Sequence, residues 1–233
     1  TEKIVPIMVS IYVIASLYII FANYSEIPNV ISMIFSDAFS QHALFGGFIG
    51  VLVTGIRRAV FSNEGGVGSA SIAHSAAKTD EPVREGIVAM IGPFIDTIIV
   101  CTTTALVILI SGLYTSDNNG VTLTVMAFEQ ELGIFGRLLL FVAVITFSLS
   151  TMFGYSYYGR KCASYLYGSR IKPYYNYIYV LVIVIASVST IDIAINFVDS
   201  CYALMVIPTM LGTILLSPKV IMASKEYFPK VDL

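Results

Sequence analysis

Most of what could do chemistry in this chain is concentrated between Arg57 and Lys78. The core of that stretch, Phe61-Ser-Asn-Glu-Gly-Gly-Val-Gly-Ser-Ala-Ser-Ile-Ala-His-Ser-Ala-Ala-Lys-Thr79, is rich in Gly, Ser and Ala and directly follows an apolar run. Gly65, Gly66 and Gly68 disfavour continued helix, while Ser62, Asn63 and Ser69 supply short polar groups. At membrane depth, non-helical backbone survives only where it is buried in protein or lines a wet cavity. A half-helix N-terminus there offers unbonded N–H groups to an anion, and unwound carbonyls can hold a cation. The same residues also suit an ordinary cytoplasmic loop followed by a surface helix of small residues. A phosphate loop is a poor match, because no Gly-Lys-Ser/Thr follows the glycines.

A second group lies in Phe147-Ser-Leu-Ser-Thr-Met-Phe-Gly-Tyr-Ser-Tyr-Tyr-Gly159. Ser148, Ser150 and Thr151 are hydroxyls inside an apolar helix, and Thr151 and Tyr155 share a face at i, i+4. Hydroxyl oxygens suit a small hard cation such as Na+. Alternatively, they bond back to their own helix or let a neighbouring helix approach. Asp96 is an acid within an apolar span, which marks either a functional site or a buried partner. Arg57, Arg58 or a bound cation could pair with it; a purely structural tie between helices is the other reading. Asp192 and Asp199 read as solvated ends, and His42 and His74 have no metal-ligand spacing. No nucleophile triad or paired carboxylates at catalytic spacing are visible, so nothing argues for an enzyme.

The elements that carry these residues follow from composition. Of 233 residues, 57% are hydrophobic and only 12% charged, against roughly 25% charged in an average soluble domain. Such a chain could not cover a soluble surface with ionised groups, and its net charge of −2 offers no field for a nucleic acid. Cys101, Cys162 and Cys201 lie in or beside apolar stretches, and their odd number argues against a disulfide framework. An integral membrane protein is expected, all-α because the two-residue alternation of a membrane barrel is absent.

Windows of about 20 apolar residues give six spans, at 4–23, 43–61, 86–114, 137–158, 177–193 and 197–216, forming one transmembrane domain. The fifth and sixth should make a tight hairpin. With six spans, 12 of the 13 basic residues fall on one side, leaving Arg137 alone on the other. By the positive-inside rule, both termini are cytoplasmic. The chain begins at Thr1, directly on a span with no signal peptide, so one piece of a longer protein is expected.

The run Phe61 to Thr79, with Pro82-Val-Arg-Glu-Gly86 and Phe94-Ile-Asp-Thr-Ile-Ile-Val-Cys-Thr102, resembles the sodium:alanine (and glycine) symporter family. That family carries a Phe-Ser-Asn-Glu-Ala-Gly-x-Gly-Ser-Ala-Pro-Ile-Ala-His-Ala-Ala-Lys-Thr segment. Weaker similarity covers Ile4-Val-Pro-Ile-Met8 and Ser150 to Gly159. The resemblance implies a leucine-transporter-type fold of two inverted repeats, of which this chain resembles the second half. It also implies about eleven helices in all, with an N-terminal half as the missing partner. Carried over by position, Phe61, Ser62, Asn63, Gly65, Thr151 and Tyr155 would touch a substrate, and Ser150 with Thr151 would hold Na+. Gly65 stands where the family has Ala, and Tyr155 where it commonly has Trp; both departures change pocket size.

The expectation is a Na+-coupled symporter of small neutral amino acids in the plasma (inner) membrane, with no organic cofactor. Its partners would be the amino acid, Na+ and the lipid bilayer. The alternatives are a non-transporting membrane scaffold, opposed by the glycine break and the hydroxyl cluster, and a proton-coupled carrier working through Asp96.

Overall fold

The computed structural model describes residues 3–39, 48–118 and 120–230, and among them every regular element is helical. Among the described residues ten α-helices follow one another: α1 (Ile4–Ala22), α2 (Ile27–Ala38), α3 (Phe48–Asn63), α4 (Ser69–His74), α5 (Pro82–Phe94), α6 (Thr102–Ser111), α7 (Gly120–Leu132), α8 (Ile134–Tyr167), α9 (Lys172–Val188) and α10 (Ile191–Tyr227). A π-helical turn, Ile95–Cys101, joins α5 to α6 without a break. Pro93 sits just before it, where its missing N–H already leaves one carbonyl unpaired.

Among the described residues, five helical stretches are long and apolar enough to cross a bilayer: Ile4–Ala22, Pro82–Ser111, Ile134–Tyr167, Ser169–Val188 and Ile191–Lys230. The span expected at 43–61 overlaps α3, which has 16 residues; residues 40–47 before it lie outside the described residues. The sixth expected span, 197–216, is part of a longer helix. α10 runs on through Pro208 and Pro218, which a membrane helix tolerates when neighbours take up the freed carbonyls. α9 and α10 are separated only by Ser189 and Thr190, both extended.

By packing, the chain divides into two compact units. The first holds Thr1–Gly55 and Phe94–Phe153. Its core joins Tyr12, Ile19 and Ile20 of α1 to Val107 of α6, Ala127 and Phe128 of α7, and Leu140 of α8. The Tyr12 and Phe128 rings stack at 5.4 Å. Polar groups in this core are bonded, as burial demands: Ser16 back to the Tyr12 carbonyl, and the Tyr12 hydroxyl to Thr104. Asn23 ends α1 by donating to the Ile19 carbonyl at 3.0 Å and ties it to α7 through Glu131 at 2.7 Å. Gly133, with φ of 61°, turns α7 into α8. The following Gly136 lets the helices meet, since a Cβ there would lie 2.1 Å from the Phe128 carbonyl oxygen.

The second unit holds Ile56–Pro93 and Gly154–Leu233. It carries the end of α3, the break after it, α4, the second part of α8, α9 and α10. α8 and α9 approach closely at Gly159, where a Cβ would overlap the Tyr175 phenol.

Candidate functional site

The glycine-rich stretch is a helix interruption. α3 continues through Phe61, Ser62 and Asn63, so the break opens at Glu64 rather than at Phe61. Asn63 closes the helix with its own side chain, whose Oδ1 accepts the Gly65 N–H at 2.8 Å. Glu64 then turns left-handed with φ of 55°, and Gly66 and Gly68 follow at 78° and 96°. Helix resumes at Ser69, where Ser71 Oγ donates to the Gly68 carbonyl at 2.6 Å.

The break is packed within its unit. Val67 is buried, and its carbonyl accepts from Thr209 Oγ1 of α10 at 3.1 Å. A Cβ on Gly68 would stand 2.8 Å from that same Thr209 oxygen, and one on Gly66 would stand 2.6 Å from the Met210 methyl. Here the glycines therefore serve two needs together, the positive φ and the close approach of α10. Ser69 is 4% exposed, and its hydroxyl has no hydrogen-bond partner among the described residues. An unmet buried hydroxyl costs about 1–3 kcal/mol.

Around the break stands a set of rings. Phe61 packs on Tyr202 of α10 at 5.7 Å between centroids. The Tyr202 and Tyr155 hydroxyls are hydrogen-bonded at 2.5 Å, and Tyr155 meets Tyr158 edge-on at 5.6 Å. Before the break, Arg57 Nη2 donates to Asp199 Oδ2 at 2.8 Å. A cavity of about 540 Å³ beside this pair is lined by Ile56, Arg57, Val60, Asn196, Asp199 and Tyr202, among others.

Of the residues singled out from sequence, Phe61, Ser62, Asn63, Gly65 and Tyr155 fall in this unit. Phe61, Ser62 and Gly65 are exposed, and Asn63 and Tyr155 half-buried. Ser150 and Thr151 belong to the first unit, Ser150 half-buried and Thr151 exposed. Thr151 and Tyr155 remain one turn apart on unbroken helix. Asp96 is half-buried in the π-helical turn. Of the two arginines weighed as its partners, Arg57 is held by Asp199 instead. Asp199 is accordingly not a solvated helix end; its side chain is only 11% exposed and lies within α10. His74, unremarkable by spacing, pairs with Glu85 at 2.6 Å across the α4–α5 link. No cluster of His, Cys, Asp and Glu suited to a metal occurs among the described residues.

Sequence reasoning passed over Glu64, Tyr202 and Thr209. Glu64 carried a usable signal, since a charge within an expected break in a membrane segment is costly and invites a role. Tyr202 and Thr209 carried none, lying 47 and 142 positions from their partners Tyr155 and Val67.

Comparison with known proteins bears on this arrangement as a whole. The profile of the sodium:alanine symporter family matches residues 1–232. The "Sodium/alanine symporter AgcS" of Methanococcus maripaludis is 40% identical over 232 residues, covering 97% of this chain and 51% of the relative. The "Probable sodium/glutamine symporter GlnT" of Bacillus subtilis is 33% identical, covering 97% of this chain and 48% of the relative. The "Sodium/proton-dependent alanine carrier protein" of Bacillus sp. is 29% identical, covering 97% and 55%. The chain thus spans about half the length of the curated relatives it matches.

Proposed function

Because the chain belongs to the sodium:alanine symporter family, we propose that it serves Na+-coupled symport of small neutral amino acids, alanine or glycine, by alternating access. The family is one of transporters, not enzymes, and the apolar helices make this a multi-pass membrane protein. The observation that carries the reading is the interruption between α3 and α4, held on α10 by the Thr209–Val67 bond. A break of this kind exposes backbone donors and acceptors at membrane depth, where plain spanning helices have none to offer. The unmet Ser69 hydroxyl beside it supports the reading, being a group that a bound ligand would satisfy.

In this reading Phe61, Ser62, Asn63, Gly65, Thr151 and Tyr155 contact the amino acid, and Ser150 and Thr151 contribute oxygens to Na+. Bound Na+ adds the charge that favours the substrate-competent state, and each charge moved inward gains roughly 2.3 kcal/mol per 100 mV of membrane potential. The helices would form the second repeat of a leucine-transporter-type fold, and the one-sided distribution of Lys and Arg supports cytoplasmic termini.

Binding of labelled alanine to the purified complete transporter tests the site. Alanine and glycine should displace the label, and replacing Na+ by K+ should release it. Binding that is indifferent to Na+, or displaced only by large amino acids, would reject the assignment.

A further inference from the structure

The corner where α8 ends and α9 begins is basic and aromatic. From Leu132 to Ile191 the sequence has no acid, yet it holds Arg137, Arg160, Lys161, Arg170 and Lys172. Among the described residues, none of the last four is ion-paired with an acid. The Lys161 ammonium instead lies 5.5 Å from the centre of the Tyr157 ring. Further tyrosines stand out from the same corner, with Tyr165 90% exposed and Tyr167, Tyr174 and Tyr177 also exposed.

The depth of this corner follows from the helices. α8 carries no charge from residue 138 to 159, about 33 Å of helix, which matches a hydrocarbon core of about 30 Å. α9 is charged only at Lys172, its first residue. The two helices approach at Gly159 and Tyr175, so their basic ends lie at the same edge of the apolar zone. Amphipathic rings mark the headgroup layer, and bases at that level attract anionic lipid.

An open cavity of about 630 Å³ lies here, between α4 and the end of α8. That is within the range of about 300–1,000 Å³ usual for small-ligand sites. Lys161 and Tyr165 line it from α8, and Ser71 and Ser75 line it from α4. Both serine hydroxyls already donate to carbonyls of their own segment, so Lys161 is the group that answers a negative charge. Ile72 and Leu166 add apolar wall. One cation beside an apolar wall suits an amphiphile, with phosphate on Lys161 and the start of an acyl chain on Ile72 and Leu166. A free phosphate would leave that wall wet. A second copy meeting the same corner would set like charges against each other.

We propose that this cavity binds the headgroup of an anionic phospholipid, its phosphate held by Lys161. The lipid then ties the helix that follows the break to α8. The site is independent of what the protein transports.

Native mass spectra of the complete transporter, released from micelles of equal phosphatidylcholine and phosphatidylglycerol, test the proposal. The wild type should retain phosphatidylglycerol in preference. Lys161→Ala should lower that preference about fivefold, the contribution of one basic residue near an anionic surface, and Lys161→Arg should keep it. Ser75→Trp fills the cavity without changing charge and should lower it as well. Lys78→Ala removes an exposed base just after α4 and outside the cavity, and should leave the preference unchanged. Equal losses in Lys161→Ala and Lys78→Ala, or no loss in Ser75→Trp, would overturn the site in favour of diffuse surface charge. Displacement of phosphatidylglycerol by inorganic phosphate would overturn the lipid assignment in favour of a free anion. A dimer that persists without bound lipid and separates in Lys161→Glu would overturn it in favour of contact between copies.

Discussion

The contact between the break and α10 makes Gly68→Ala the most informative single substitution. Gly68 has φ of 96°, and an added Cβ would meet Thr209 Oγ1 at 2.8 Å. The backbone strain costs about 1–3 kcal/mol. Displacing Thr209 from the Val67 carbonyl forfeits a hydrogen bond worth about 0.5–1.5 kcal/mol. Together these give a loss of about 1.5–4.5 kcal/mol, a factor of roughly ten to two thousand in the folding equilibrium. Gly66→Ala should cost less, about 1–2 kcal/mol, because the atom it meets is the end of the flexible Met210 side chain. Thr209→Ala alone removes the bond without straining the backbone and should cost about 1 kcal/mol. The double variant Gly68→Ala, Thr209→Ala should then fall short of additivity by about 1 kcal/mol, since the bond can be lost only once. Thermal unfolding of the purified transporter in micelles gives the ranking. A Gly68→Ala protein as stable as wild type, or strict additivity with Thr209→Ala, would refute the packing described for the break.

Three further outcomes are expected. Asp199→Asn or Arg57→Ala should each destabilise by about 1–3 kcal/mol, with the full value for a buried pair reduced because Arg57 is 55% exposed. The exchange Arg57→Asp, Asp199→Arg should recover part of that loss in the same unfolding assay, and no recovery would mean that the pair is incidental. Ser150→Ala with Thr151→Ala should raise the Na+ concentration for half-maximal uptake about tenfold, the loss of roughly 1.4 kcal/mol of ion binding; unchanged Na+ dependence rejects their role. Tyr155→Trp should narrow selectivity towards glycine and alanine over serine by tens-fold at most, because one methylene in a pocket is worth about 1–3 kcal/mol. An identical substrate ranking would remove Tyr155 from the pocket wall.

The helix break was legible because three glycines within four positions cannot be mistaken for ordinary helix, and its neighbours Ser62 and Asn63 are cap and turn residues. Its starting point was not, because Asn63 stays helical and closes α3 with its own side chain. The short link between α9 and α10 was legible from two apolar runs with almost nothing between them. The extent of α10 was not, since Pro218 and Lys219 end the apolar window while the helix continues to Tyr227. α2 and α7 escaped notice because helices of 12 and 13 residues fall below the length of a span. The Arg57–Asp199 pair joins residues 142 positions apart. Local pattern carries no information about such pairings, so Asp199 read as a helix end and Arg57 as a partner for Asp96.

The proposed symport couples uptake of a small neutral amino acid to sodium. Its most direct test is accumulation of labelled alanine in proteoliposomes containing the complete transporter, with an inward Na+ gradient and an interior-negative potential imposed in turn. Alanine should accumulate above its external concentration only when Na+ is present outside, and more so when the interior is negative. Equal uptake with Na+ replaced by choline, or accumulation that follows a pH gradient in the absence of Na+, would contradict it.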